Sequence, residues 1–85
     1  MNNQWVVYLL ECRDGSLYCG ATNNIDKRVK VHNSGKGSKY VRSRLPVTLL
    51  LTSKDMSKWD ALKLECQVKK QKAKAKVDFL KQFVE

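Results

Sequence analysis

The sequence predicts a small α/β domain with elements in the order β-β-α-β-α-α. Three observations carry this expectation. The first is the apolar run Trp5-Val6-Val7-Tyr8-Leu9-Leu10, and the second is the tight-turn pair Asp14-Gly15 shortly after it. The third is a pair of C-terminal segments whose apolar residues recur at helical spacing. The chain of 85 residues reads as a single domain, 1–85, that buries only a modest fraction of its surface. Any chemistry must then use a shallow, open site and a substrate that is itself large.

Each element has its own signal. Gln4–Arg13 is apolar on both strand faces, the mark of a central strand covered on both sides. Ser16–Thr22 reads as the returning strand of a hairpin. Asn23 or Asn24 caps a helix from about Ile25 to Ser34, which Gly35 stops. The segment from Gly35 to Pro46 is polar and basic and reads as a loop. Val47–Thr52 is a third strand, again apolar on both faces. Ser57 caps the next helix, with Asp60 placed as in a capping box, and that helix runs to about Lys70. Ala73, Val77, Leu80 and Val84 share one stripe of a last helix, and the apolar phase slips near Gln71, where a kink or short turn is expected.

Composition narrows the function. Seventeen Lys and Arg face eight Asp and Glu, a formal charge of +9. The stretch from Lys27 to Arg44 holds Lys27, Arg28, Lys30, Lys36, Lys39, Arg42 and Arg44 with no acidic residue, and a lysine cluster follows from Lys69 to Lys76. Such a field suits a phosphodiester backbone. Lys36, Lys39, Tyr40, Arg42 and Arg44 are therefore candidate nucleic-acid contacts. No apolar run approaches the roughly 18–20 residues that span a bilayer, and no signal-peptide pattern opens the chain, so a cytoplasmic location without membrane partners is expected. Cys12, Cys19 and Cys66 match no zinc spacing and read as thiols, the first two buried.

A few residues break local rules. On a wheel of about 100° per residue, Ala61, Leu62, Leu64 and Val68 define a buried face, and Glu65 falls within it. A carboxylate there is costly without a cation or donors as partner; it is either structural, paired with an arginine or reaching water at the edge of the stripe, or functional. Arg28 and His32 are four apart and share a helix face. Tyr8 and Tyr18 lie on the two hairpin strands. A two-residue loop puts them on opposite sheet faces, whereas a three-residue loop with Gly15 left-handed puts them on the same face, and the sequence permits either.

Val7-Tyr8-Leu9, then Leu17-Tyr18-Cys19-Gly20-Ala21-Thr22, then Arg28, His32-Asn33 and Glu65 together resemble the ordered motifs of the GIY-YIG nuclease superfamily. The resemblance covers about residues 4–72. Within the superfamily, the chain is most similar to small standalone bacterial proteins related to the nuclease module of structure-selective Holliday-junction resolvases. The resemblance implies a three-stranded, mostly antiparallel sheet flanked by helices. It implies a metal-dependent endonuclease acting on branched or structured DNA in repair or recombination. Tyr8, Tyr18, Arg28, His32 and Glu65 match the catalytic positions, with Glu65 holding one Mg²⁺ or Mn²⁺ and no small-molecule cofactor. Tyr8 is the preferred general base, its phenol lowered by metal and arginine. Related modules also bring an accessory protein subunit or second domain as a candidate partner. This chain departs from the motifs at Val7, Leu9 and Cys19, which are packing positions, and has Ala21 where several branches carry Lys or His. The alternative is a nucleic-acid-binding module, for DNA or RNA, with little or no turnover.

Overall fold

Strand β1 (Val6–Glu11) is the middle of the sheet because its sequence can be buried twice over. A computed structural model describes residues 4–84; the ends of the 1–85 reading, residues 1–3 and 85, lie outside the described residues. β1 pairs antiparallel with β2 (Leu17–Thr22) on one side and β3 (Thr48–Thr52) on the other, giving the order β2-β1-β3. Alternate β1 side chains serve different cores. Val7 and Leu9 pack with Cys19 against Ala61, Leu64 and Val68 of α3 (Lys58–Lys69) and Leu80 of α4 (Ala73–Lys81). Tyr8 and Leu10 pack with Cys12, Val41 and Val47, beside Ile25 and Val29 of α1 (Ile25–Asn33). The sheet is thus a layer between α1 on one face and α3 with α4 on the other.

The hairpin is closed by three residues, Arg13-Asp14-Gly15. Gly15 has φ +84° and donates to the Cys12 carbonyl at 2.9 Å, while Cys12 N–H reaches Ser16 O at 2.9 Å. This loop fixes the register Tyr8↔Gly20 and Leu10↔Tyr18. Asn24 caps α1 by accepting from Lys27 N–H, and Ser57 caps α3 by accepting from Asp60 N–H. Asn33, the last residue of α1, accepts from Val47 N–H at 2.9 Å and donates to Val47 O at 3.2 Å, tying the helix to the entry of β3.

Four expectations need correction. The 35–46 segment is not loop throughout: Ser38 caps a single helical turn, α2 (Lys39–Arg42), held in place by fully buried Val41. β3 is an edge strand, so Leu49 and Leu50 remain 38 % and 43 % exposed instead of covered on both faces. Leu62 also faces water, because α3 is covered only along Ala61, Leu64 and Val68. In α4 the buried stripe is Leu80 with Phe79, Phe83 and Val77, while Ala73 and Val84 are exposed and the helix ends at Lys81. No helix of the described residues is long and apolar enough to cross a membrane.

Candidate active site

The site is built around the free edge of β2. The three-residue loop puts Tyr8 and Tyr18 on one face of the sheet, with ring centroids 6.5 Å apart. His32, in the last turn of α1, drops between them. Its ring lies 5.3 Å from that of Tyr18 and 6.2 Å from that of Tyr8, and its Nε2 meets the Tyr8 hydroxyl at 3.1 Å. Tyr8 and His32 are each 1 % exposed, whereas Tyr18 is half-buried and is the phenol that borders solvent. His32 Nδ1 is buried with no partner in either tautomer.

Two glycines make this packing possible, and neither stood out in the sequence as a steric device. Gly20 sits directly across from Tyr8, and a Cβ there would lie 2.6 Å from Tyr8 Cζ and closer still to the hydroxyl. A Cβ at Gly37 would run into the imidazole of His32, 2.8 Å from its Cε1. The ring positions therefore depend on two backbone segments approaching without side chains.

Arg28 and Glu65 reach the cluster through charge and make no hydrogen bond to it. Arg28 is exposed on α1, one turn before His32. Glu65 comes from α3, packed on the other face of the sheet, its side chain 19 % exposed. Both charges act on Tyr8, in opposite directions. Burial pushes the Tyr8 phenol far above its ordinary value, and Tyr18 and Glu65 add to this, while Arg28 pulls it down. Desolvation thus outweighs the pull of Arg28 on the Tyr8 phenol. Burial also depresses the His32 pKa, with a further push from Arg28, so the imidazole is neutral near pH 7. The Cys19 thiol beneath the sheet is raised to about 12 by burial and by Glu65, and takes no part as a thiolate.

The cation that faces Glu65 is Lys69, at 2.8 Å and four residues on, where the sequence had suggested an arginine as the structural partner. That glutamate holds the Lys69 ammonium above its ordinary range through their hydrogen bond. The i,i+4 spacing was legible in the sequence, but the lysine was lost among its neighbours. Among the described residues no group of three or more His, Cys, Asp or Glu comes together. The donor set fits a hard divalent ion that keeps most of its waters and takes one carboxylate, already placed opposite a cation.

The basic candidates divide. Lys36, Lys39 and Arg42 are exposed around α2. Arg44 is engaged: its Nε meets Asp14 at 3.1 Å, its Nη1 donates to Tyr40 O at 2.8 Å, and its guanidinium lies 3.9 Å from the Tyr40 ring centroid. Tyr40 in turn stacks on Tyr18, with centroids 6.2 Å apart and planes at 28°. Arg44 fastens the basic segment to the hairpin and is not a free phosphate contact. Tyr40 connects that segment to the aromatic cluster, a contact that spacing alone does not reveal.

A family model described as the GIY-YIG catalytic domain matches residues 4–78. The chain belongs to the GIY-YIG family. Its catalytic domain is of the nuclease type, a hydrolase class whose substrate is nucleic acid and whose members generally use a divalent metal. Among relatives of this GIY-YIG chain, a UPF0213 protein of Streptococcus sanguinis is 46 % identical over 82 residues, covering 96 % of this chain and 94 % of the relative. A UPF0213 protein of Bacillus licheniformis is 48 % identical over 80 residues, covering 94 % and 82 %. The UPF0213 protein of Bacillus halodurans, solved by NMR in solution, shares 42 % identity with a TM-score of 0.56 over 92 % of this chain and 83 % of that one.

Proposed function

We propose that this protein is a metal-dependent endonuclease that hydrolyses phosphodiester bonds in branched or otherwise structured DNA, in repair or recombination. The observation that carries this reading is the meeting of Tyr8, Tyr18 and His32 at the β2 edge, with the charges of Arg28 and Glu65 both bearing on the Tyr8 hydroxyl. Hydrolysis of a phosphodiester needs a deprotonated water, a counter-charge on the five-coordinate phosphorus and help for the leaving oxygen. Arg28, exposed on α1, offers a planar fork to the phosphate. Glu65 would hold one Mg²⁺ or Mn²⁺, which supplies charge neutralisation and lowers the pKa of a bound water. Tyr18 is the tyrosine that faces substrate and serves as proton acceptor or water-orienting group. Tyr8, buried and joined to His32, positions the cluster, and desolvation opposes its ionisation unless the cation held by Glu65 offsets it.

Exposed Lys36, Lys39 and Arg42 extend the site with backbone-phosphate contacts, and the open surface suits a large substrate. The choice of branched DNA rests on the resemblance to resolvase nuclease modules. A cleavage panel tests the reading: single-stranded, duplex, flap and four-way-junction DNA, each with Mg²⁺, Mn²⁺ or EDTA. Cutting of junction or flap with metal and none with EDTA is the expected result. Binding without any turnover on the whole panel would replace it with a nucleic-acid-binding module.

A further inference from the structure

Glu65 and Lys69 form a Glu–Lys pair one helical turn apart, a common and weak arrangement on helix surfaces. Here the two partners sit in different surroundings. The Glu65 side chain is 19 % exposed and its charge bears on Tyr8 and Cys19 at the sheet edge, while Lys69 is 51 % exposed. Lys69 is therefore the more solvent-accessible partner, free to meet a second anion. Tyr18 and Cys19 in turn favour the charged form of Lys69, so the pair is electrostatically coupled to the cluster. Among the described residues Lys69 is the ion-pair partner of the one carboxylate in the candidate site.

We propose that Lys69 is a resident counter-ion of Glu65 that is exchanged when substrate and metal arrive: the ammonium passes to a substrate phosphate as the carboxylate takes the divalent cation. This rests on the reading of Glu65 as the metal ligand. The physical argument is competition. A single carboxylate already neutralised by an ammonium at 2.8 Å is a poorer ligand for a metal than a free one. A phosphodiester gives the ammonium another anion, and so releases Glu65. Metal and nucleic acid then each bind more tightly when the other is present, and the reinforcement is reciprocal by thermodynamic necessity. Lysine suits this exchange, because it is a compact point charge on a flexible stem without the two-pronged grip of arginine. The device would keep the isolated protein sparsely loaded with metal, and so limit hydrolysis until DNA is in place.

The test is Mn²⁺ binding to the full chain, followed by loss of the free-ion electron paramagnetic resonance signal. Wild type, Lys69→Met, Lys69→Arg and Glu65→Gln are compared, alone and with a four-way junction whose own Mn²⁺ uptake is subtracted. Without DNA, Lys69→Met should bind Mn²⁺ roughly two- to fivefold more tightly than wild type, the range expected for removing one helix-surface ion pair. Lys69→Arg, which keeps the pair, should resemble wild type. Junction DNA should tighten Mn²⁺ binding in wild type and do so less in Lys69→Met. A merely structural Lys69 would leave the tightening by junction DNA the same in Lys69→Met as in wild type. Loss of Mn²⁺ binding in Glu65→Gln with unchanged or weaker affinity in Lys69→Met overturns the exchange and leaves the metal ligand standing. Unchanged binding in Glu65→Gln overturns both.

Discussion

Replacing Gly20 with alanine tests whether the tyrosine cluster depends on a backbone without a side chain. The new methyl would lie 2.6 Å from Tyr8 Cζ and nearer to its hydroxyl, inside any tolerable contact. Neither partner can retreat cheaply. Tyr8 is 1 % exposed and bound to His32, and Gly20 is fixed across from it by the β1–β2 register. Overpacking a closed site costs about 1–3 kcal/mol, and loss of the Tyr8–His32 hydrogen bond adds about 1 kcal/mol. For a domain of this size, about 2 kcal/mol corresponds to a fall in Tm of roughly 8–16 °C. Thermal unfolding followed by circular dichroism measures it, with wild type and Gly20→Ala compared in one buffer. Adding Tyr8→Phe removes the nearest atom but leaves Cζ, so the double variant should recover part of the loss and not all of it. A Gly20→Ala protein that melts within a degree or two of wild type would refute the reasoning. A double variant no better than Gly20→Ala would show that the clash lies elsewhere.

Four further outcomes are expected. Glu65→Gln should reduce junction cleavage by orders of magnitude while DNA binding persists, with Tm changed little because the pair it loses is a partly exposed one; Tm and cleavage are measured on one preparation. His32 is buried and neutral with a pKa below its unfolded value, so the unfolded chain binds more protons, and stability should fall as pH drops below about 6.5. Urea unfolding between pH 7.5 and 5.5 should show that slope in wild type and lose it in His32→Gln. Neutralising Lys36 and Lys39 should weaken DNA binding for all sequences and lower the salt slope by about 2, at unchanged Tm. Arg44→Gln should instead lower Tm, since Arg44 ties Tyr40 to Asp14; equal effects of the two changes on a salt titration and a melt would refute the division.

The sequence by itself determined the elements that are locally encoded. The double-sided apolar run of Trp5 to Leu10 specified a central strand, and Asn24 and Ser57 announced helix starts through side chains that cap their own backbone. It also named the ordered residues Tyr8, Tyr18, Arg28, His32 and Glu65, because motif order survives in one dimension. It did not determine which face the tyrosines share. That followed from a three-residue loop with left-handed Gly15, and a register shift of one residue would have separated them. Leu49, Leu50 and Leu62 read as core, yet only packing decides that, among the described residues, β3 has no neighbour beyond it and α3 is covered on one side. The polar 35–46 segment concealed α2 because a single buried side chain, Val41, has no periodicity to show. The direction of the Tyr8 pKa and the roles of Gly20, Gly37, Arg44 and Lys69 depend on distances through space. Desolvation, steric closeness and charge pairing act across the fold, and spacing along the chain carries none of them.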